Sequence, residues 1–133
     1  MDVNLRSLIG KLTPATRAAT EAAAGLCLGR THYNVEIEHY LIKLLDTSDG
    51  DFAKIAKHSE IDKARLAADL TRAIDRFKTG NGRTPSFSPD LLELMKQAWV
   101  IATIEFGASQ IRTGFTVLSL VGSDRLAPIV REI

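Results

Sequence analysis

The chain has 133 residues, 45% hydrophobic and 25% charged, with a formal net charge of +1. That is the length of one domain with enough apolar material for a single core, and the charge balance gives no general pull toward nucleic acid. No apolar run reaches the roughly 18 residues needed to cross a bilayer, Asp2 and Arg6 ahead of a broken apolar pattern do not read as a signal peptide, and the lone Cys27 has no internal disulfide partner, which suits a reducing cytosol.

Apolar residues recur at spacings of three and four and not at two, which predicts an all-α fold without strands. Asp2 can cap a short helix in which Leu5, Leu8, Ile9 and Leu12 share one face. Thr13-Pro14 ends it and opens a long helix over 14–30, since the Thr hydroxyl accepts from free backbone N–H groups and Pro at the first helical position loses no bond. Glu36 and Glu38 favour the N-terminal end of the next helix, 37–45, where the helix dipole welcomes negative charge. A turn over 46–50 and a short helix over 52–57 follow. Asp62 caps an amphipathic helix carrying Leu66, Leu70, Ala73, Ile74 and Phe77. The stretch 79–86, with two Gly and one Pro, reads as a linker. Ser88-Pro89 then opens a second long run ending near Gly107, with further helices over 112–120 and 126–132.

The pattern is a tandem duplication with a spacing of about 75 residues. Aligning the two Pro-started helices sets Tyr40 against Phe115, Ile42 against Val117 and Leu45 against Leu120. It divides the chain into an extra helix (1–12), a first repeat (13–78), the linker (79–86) and a second repeat (87–133). The second repeat stops where a counterpart of the 62–78 helix would begin, so the chain is expected to be one piece of a longer polypeptide. The two halves, each a four-helix motif, are expected to pack about a pseudo-twofold axis, with Tyr40, Leu41, Leu44 and Leu45 meeting Phe115, Leu118 and Leu120.

Candidate chemistry is sparse. His32, Glu38 and His39 lack the i, i+4 spacing of a zinc-protease helix, and Cys27 lies across a helix break from them. Gly80-Asn81-Gly82-Arg83-Thr84 lacks the Lys-Ser/Thr ending of a phosphate loop and follows a helix where that motif needs a strand. The basic residues Lys63, Arg65, Arg72, Arg76, Lys78 and Arg83 alternate with Asp62, Asp69 and Asp75, as on a solvated helix face. No catalytic residue, cofactor site or metal site is expected.

One helix carries too much apolar surface. Over 14–30, Thr16, Ala19, Ala23, Cys27 and Arg30 share a face with Leu12 that reads as the core side. Ala15, Ala18, Ala22, Gly25 and Gly29, flanked by Leu26, form an adjoining face of small side chains. Either the N-terminal helix lies on that face and closes it, or it is the floor of a groove for a guest helix. The groove reading names Leu8, Leu12, Ala15, Ala18, Ala22, Gly25, Leu26 and Phe87 as partner-binding residues.

The Thr/Ser-Pro helices and the segment Glu38-His39-Tyr40-Leu41-Ile42-Lys43-Leu44-Leu45 resemble the N-terminal domain of Clp-family AAA+ unfoldases. The second copy departs from the pattern, with Thr113-Gly114 where Glu-His is expected. Within that family, Glu21-Ala22-Ala23-Ala24-Gly25-Leu26-Cys27-Leu28, Arg30-Thr31-His32-Tyr33 and Lys78-Thr79-Gly80-Asn81 are most similar to the ClpV branch, the ATPases of type VI secretion systems. The extra helix before Leu12 belongs to that similarity too. The resemblance implies a Clp N-domain fold and a non-catalytic receptor for an N-terminal helix of the larger sheath subunit. It also implies ATP and Mg in downstream AAA+ domains, a cytoplasmic location, a monomeric isolated domain and a hexameric full-length protein, with neither nucleic acid nor membrane as partner. The alternatives are a general Clp N-domain that binds adaptors or aggregated substrates, and a helical module that oligomerises through its apolar face.

Overall fold

A computed structural model describes residues 5–47 and 50–122. The helices are α1 (Leu5–Gly10), α2 (Pro14–Gly29), α3 (Ile37–Leu45), α4 (Asp51–His58), α5 (Lys63–Asp75), α6 (Pro89–Val100) and α7 (Thr113–Gly122). Asp2, part of the 46–50 turn and the helix expected over 126–132 lie outside the described residues. Local chemistry sets the helix starts. Thr13 Oγ1 accepts from the Thr16 amide, Ser88 Oγ from Leu91 and Asp62 Oδ1 from Arg65, while Pro14 and Pro89 occupy the first turns.

The core lies between α2, α3, α6 and α7. α2 turns Thr16, Ala19, Ala23 and Cys27 inward, and α3 contributes Ile37, Tyr40, Leu41 and Leu44. α6 adds Leu91, Leu94, Met95 and Ala98, and α7 adds Val117 and Leu120. α3 is the central element, packed against α2, α4 and α5.

Four sequence expectations need correction, the last of them at Arg30. The first is the absence of strands. β1 (Asn34–Val35) and β2 (Ser86–Phe87) pair in parallel, and Leu12 makes a second parallel bridge to Ile111. These pairs are too short to show alternation. Each lies just before an N-cap whose own backbone is extended, Thr13, Glu36 or Ser88, so the chain runs straight into the helix. The Val35–Phe87 pair joins one half to the other, and the Leu12–Ile111 bridge ties the N-terminal segment to the second half.

The second is the register of the duplication. Pro14 corresponds to Pro89, but Ile37 corresponds to Thr113, one position later than the alignment of Tyr40 with Phe115 requires. The buried set Ile37, Tyr40, Leu41 and Leu44 therefore matches Thr113, Thr116, Val117 and Leu120. The extra residue is absorbed where α6 runs into a π-helical turn at Ile101–Glu105, the way a helix accommodates an insertion without breaking. The third correction follows from the second: Leu118 is exposed (43%), while Leu45 and Phe115 are only half-buried. Arg30, placed on the core face by periodicity, is exposed at the C-terminal cap of α2.

Tyr40 ties the halves together. Its hydroxyl lies 2.8 Å from Thr116 Oγ1, and Thr116 donates to the Thr113 carbonyl at 2.6 Å, so the Tyr40 O–H is the donor of the pair. Burial pushes the phenol pKa well above its ordinary value. Tyr40→Phe is expected to cost about 1 kcal/mol in urea unfolding, because Thr116 keeps its donor bond but loses the one it accepts. A change within about 0.3 kcal/mol would mean the bond does not hold the halves together.

Candidate helix-binding crevice

α1 packs against α6, not over the outer face of α2. Leu8 and Leu12 are 3% exposed, so they anchor α1 in the core. Two contacts fix its C-terminal end: Arg17 Nη2 donates to the Ile9 carbonyl at 3.3 Å, and Lys11 Nζ stands 5.0 Å from the Trp99 ring centroid on α6. The following residues are stapled by the Ile111 backbone, whose N–H donates to the Lys11 carbonyl (2.6 Å) and whose carbonyl accepts from the Thr13 amide (3.0 Å) and the Thr16 hydroxyl (2.9 Å).

This leaves an apolar crevice between α1, α2 and α6, lined by Leu8, Ile9, Leu12, Thr20, Phe87 and Leu92 among others. Phe87 stands at its rim, half-buried, where β2 delivers it by pairing with Val35. The crevice therefore brings together Leu8, Leu12 and Phe87 of the residues singled out in the sequence. It does not bring in the rest. Thr20 and Ala22 are two positions apart and so project about 200° apart around the helix.

Ala15, Ala18, Ala22 and Gly25 are exposed on other sectors of α2, and a Cβ added at Gly25 or Gly29 would meet only open space. Ala18 borders a separate hollow with Gly10, Leu12, Arg17, Glu21 and Gln110. Ala15 borders another, beside Asp51 and Arg112. There Asp51 accepts from Arg112 Nε (3.2 Å), Arg112 Nη2 (2.8 Å) and the Gly114 amide (3.2 Å), and the guanidinium beside it holds the carboxyl below the usual carboxylate range. Leu26 is half-buried and borders none of the three hollows. Ile9, Thr20 and Leu92 also line the crevice but are not among the residues the sequence names for binding. Ile9 had been placed on the apolar face of α1, but the contribution of α6 depends on how the halves dock, which one helix's periodicity cannot show.

Among the described residues, no group of three or more His, Cys, Asp or Glu could hold a metal ion, and no helix is long and apolar enough to cross a membrane.

Comparison with known proteins agrees with this architecture. The chain is 35% identical to the AAA+ ATPase ClpV1 of Pseudomonas aeruginosa over 94% of its own length and 14% of that protein's. It thus spans about one seventh of the relative it matches. The solved N-domain of ClpV from Vibrio cholerae superposes with a TM-score of 0.87 at 28% identity, over 98% of this chain and 82% of that one. A ClpV N-domain solved in complex with a VipB peptide gives a TM-score of 0.82 at 29% identity, over 100% of this chain and 85% of that one. The model of the Clp repeat N-terminal domain matches residues 11–132, and the chain belongs to that family.

Proposed function

We propose that this domain is the receptor of a ClpV-like unfoldase, and that it binds the N-terminal helix of a type VI sheath subunit in the crevice between α1, α2 and α6. The observation that carries the reading is the crevice itself: apolar, set between three helices, and walled by an α1 whose end is pinned at Arg17, Lys11 and Ile111. The crevice is shallow, about 20 Å³ in volume, so an amphipathic helix would lie across its mouth and press an apolar anchor against Phe87, Ile9 and Leu92 at the rim. The solved complex of a related ClpV N-domain with a VipB peptide supports a peptide guest of this kind. Leu8 and Leu12 form the base of the slot, Phe87 its rim, and Ile9 and Leu92 its walls. Ala15, Ala18, Ala22, Gly25 and Leu26 form the flank outside it.

In the full-length protein, AAA+ domains downstream would bind ATP and Mg and pull the captured subunit through a hexameric ring in the cytoplasm. A ring of receptors would hold a repetitive sheath by avidity while each single contact still releases.

Each large anchor contributes about 1.5–3 kcal/mol when buried, and ordering a short helix that is marginal in water costs roughly 2–5 kcal/mol. The expected Kd for an isolated guest peptide is therefore weak, on the order of 1–100 μM. Calorimetric titration of the domain with a synthetic N-terminal peptide of the sheath subunit tests the reading. Binding in that range that Phe87→Glu removes supports it. The absence of binding at millimolar peptide, or binding indifferent to Phe87→Glu, overturns it. A domain that instead self-associates in size-exclusion chromatography favours the oligomerisation module.

A further inference from the structure

We propose that the buried His32–His39 pair is an acid-released latch that holds the linker between the two halves in place. His39 is the third residue of α3 and completes a capping box: its Nδ1 accepts from the Glu36 amide at 2.9 Å. A backbone N–H is always a donor, so Nδ1 must present its lone pair, and the neutral ring carries its proton on Nε2. That Nε2 lies 2.9 Å from His32 Nδ1, which must then accept, leaving the His32 proton on Nε2. One tautomeric arrangement satisfies the whole chain. A third proton has nowhere to go: on His39 Nδ1 it meets the Glu36 N–H, and on His32 Nδ1 it meets the His39 N–H.

The surroundings add to this constraint. His32 is 2% and His39 0% exposed, and the Phe77 ring packs edgewise against both, with centroids 5.5 and 5.4 Å away. The ionisable groups facing the pair come from every neighbouring element: Cys27 and Arg30 from α2, Glu36 from the start of α3, Asp75 from α5 and Lys78 just beyond it. Arg30 is paired with Asp75, so the two largely offset each other at the rings. Burial, together with the other ring and Arg30, lowers the His39 pKa to about 4, and burial first lowers that of His32.

The latch holds something specific. The loop that carries His32 is the hanger for the linker: Asn81 Nδ2 donates to the His32 carbonyl (3.1 Å), the Asn81 amide to Thr31 O (2.9 Å), the Gly80 amide to Thr31 Oγ1 (3.0 Å) and the Ser86 amide to Tyr33 O (3.3 Å). Thr31 is held at φ +57, a left-handed conformation that costs free energy for a β-branched residue and persists only while its neighbours enforce it. Backbone bonds that close the end of α2 hold it there, Thr31 N–H to the Leu28 carbonyl (3.0 Å) and His32 N–H to the Cys27 carbonyl (3.0 Å), and withdrawing the His32 ring from its buried seat would pull on the same residue that carries the Cys27 and Asn81 bonds.

The sign follows from linkage. Both histidines have lowered pKa values in the closed form, so the open form takes up protons below about pH 6.5 while the closed form resists protonation, down to about pH 4 at His39. The latch is unaffected above pH 6.5. Below it, the open population rises through His39 with a slope that approaches about tenfold per pH unit until the pH nears 4, and His32 acts in the same direction.

Amide hydrogen exchange in the 133-residue chain, corrected for intrinsic rates, tests this between pH 7.5 and 5. The Asn81 and Ser86 amides are expected to lose protection several-fold per pH unit below 6.5, while Ala23 in α2 keeps its own. Unchanged protection at Asn81 and Ser86, or loss in step with Ala23, overturns the latch. The double variant His32→Asn/His39→Gln keeps an acceptor at 32 and both the acceptor and the donor at 39 without a titrating ring, and is expected to abolish the pH dependence; an unaltered slope overturns the proposal. If that variant does not fold, imidazole nitrogen shifts of the wild-type chain at pH 7.5 decide. Nδ1 unprotonated on both rings is expected, and a proton on either Nδ1 overturns the assignment.

Discussion

Leu44→Ala is expected to lower the stability of the domain by about 2–5 kcal/mol in urea unfolding, the range for deleting buried methyl groups and leaving a cavity. Leu44 is 3% exposed on α3, the helix that α2, α4 and α5 surround. With partners on three sides, the surroundings cannot collapse into the space without shifting a whole helix, which places the cost away from the lower end of the range. A domain of this size is stable by only 5–15 kcal/mol or so, so the variant should show a clearly lowered midpoint. Leu118→Ala is the control. Aligning Tyr40 with Phe115 makes Leu118 a core residue, but its 43% exposure predicts a loss below about 1 kcal/mol. A loss at Leu44 under about 0.5 kcal/mol would contradict its place in the core, and a loss at Leu118 as large as at Leu44 would contradict the one-residue shift between the halves.

The parts of the fold governed by local chemistry were legible in the sequence. Thr13-Pro14, Ser88-Pro89 and Asp62 cap helices at the expected positions because a cap needs only the residues within its own first turn. The inward face of α2 followed from its 3.6-residue period, apart from Arg30, which the end of the helix releases to solvent. What failed depended on contacts between distant segments. The Leu12–Ile111 and Val35–Phe87 pairings join residues far apart in the chain and leave no periodic trace.

The π-helical turn at Ile101–Glu105 shifts the register of everything after it by one residue, and no residue type in that run announces it. Periodicity also showed that α2 has more apolar surface than one face can bury. It could not show which flank of the helix faces a partner, because α1 and α6 decide that when they dock.

Ala24→Glu is expected to weaken binding of the guest helix by more than a hundredfold, while Ala22→Glu leaves it within about threefold. Ala24 does not line the crevice itself, but it lies one turn beyond Thr20, which does, on the same side of α2, and it is half-buried against the core; a guest helix that extends along α2 past Thr20 would cover it. A carboxylate there would be covered by an apolar guest with no cation to pair with, at a cost of several kcal/mol, more than the whole of a hundredfold change in affinity.

Ala22 is exposed on a different flank, so a glutamate there stays in water. Its neighbours at three and four positions, Ala18, Ala19, Gly25 and Leu26, carry no charge, and the lower helix propensity of Glu costs about 0.5 kcal/mol or less. Calorimetry with the same sheath peptide reads both variants, and urea unfolding confirms that each is folded. Loss of binding at Ala22 with retention at Ala24 would move the groove onto the small-residue flank of α2 and remove α1 as its wall. Loss at neither would place the guest away from α2 altogether.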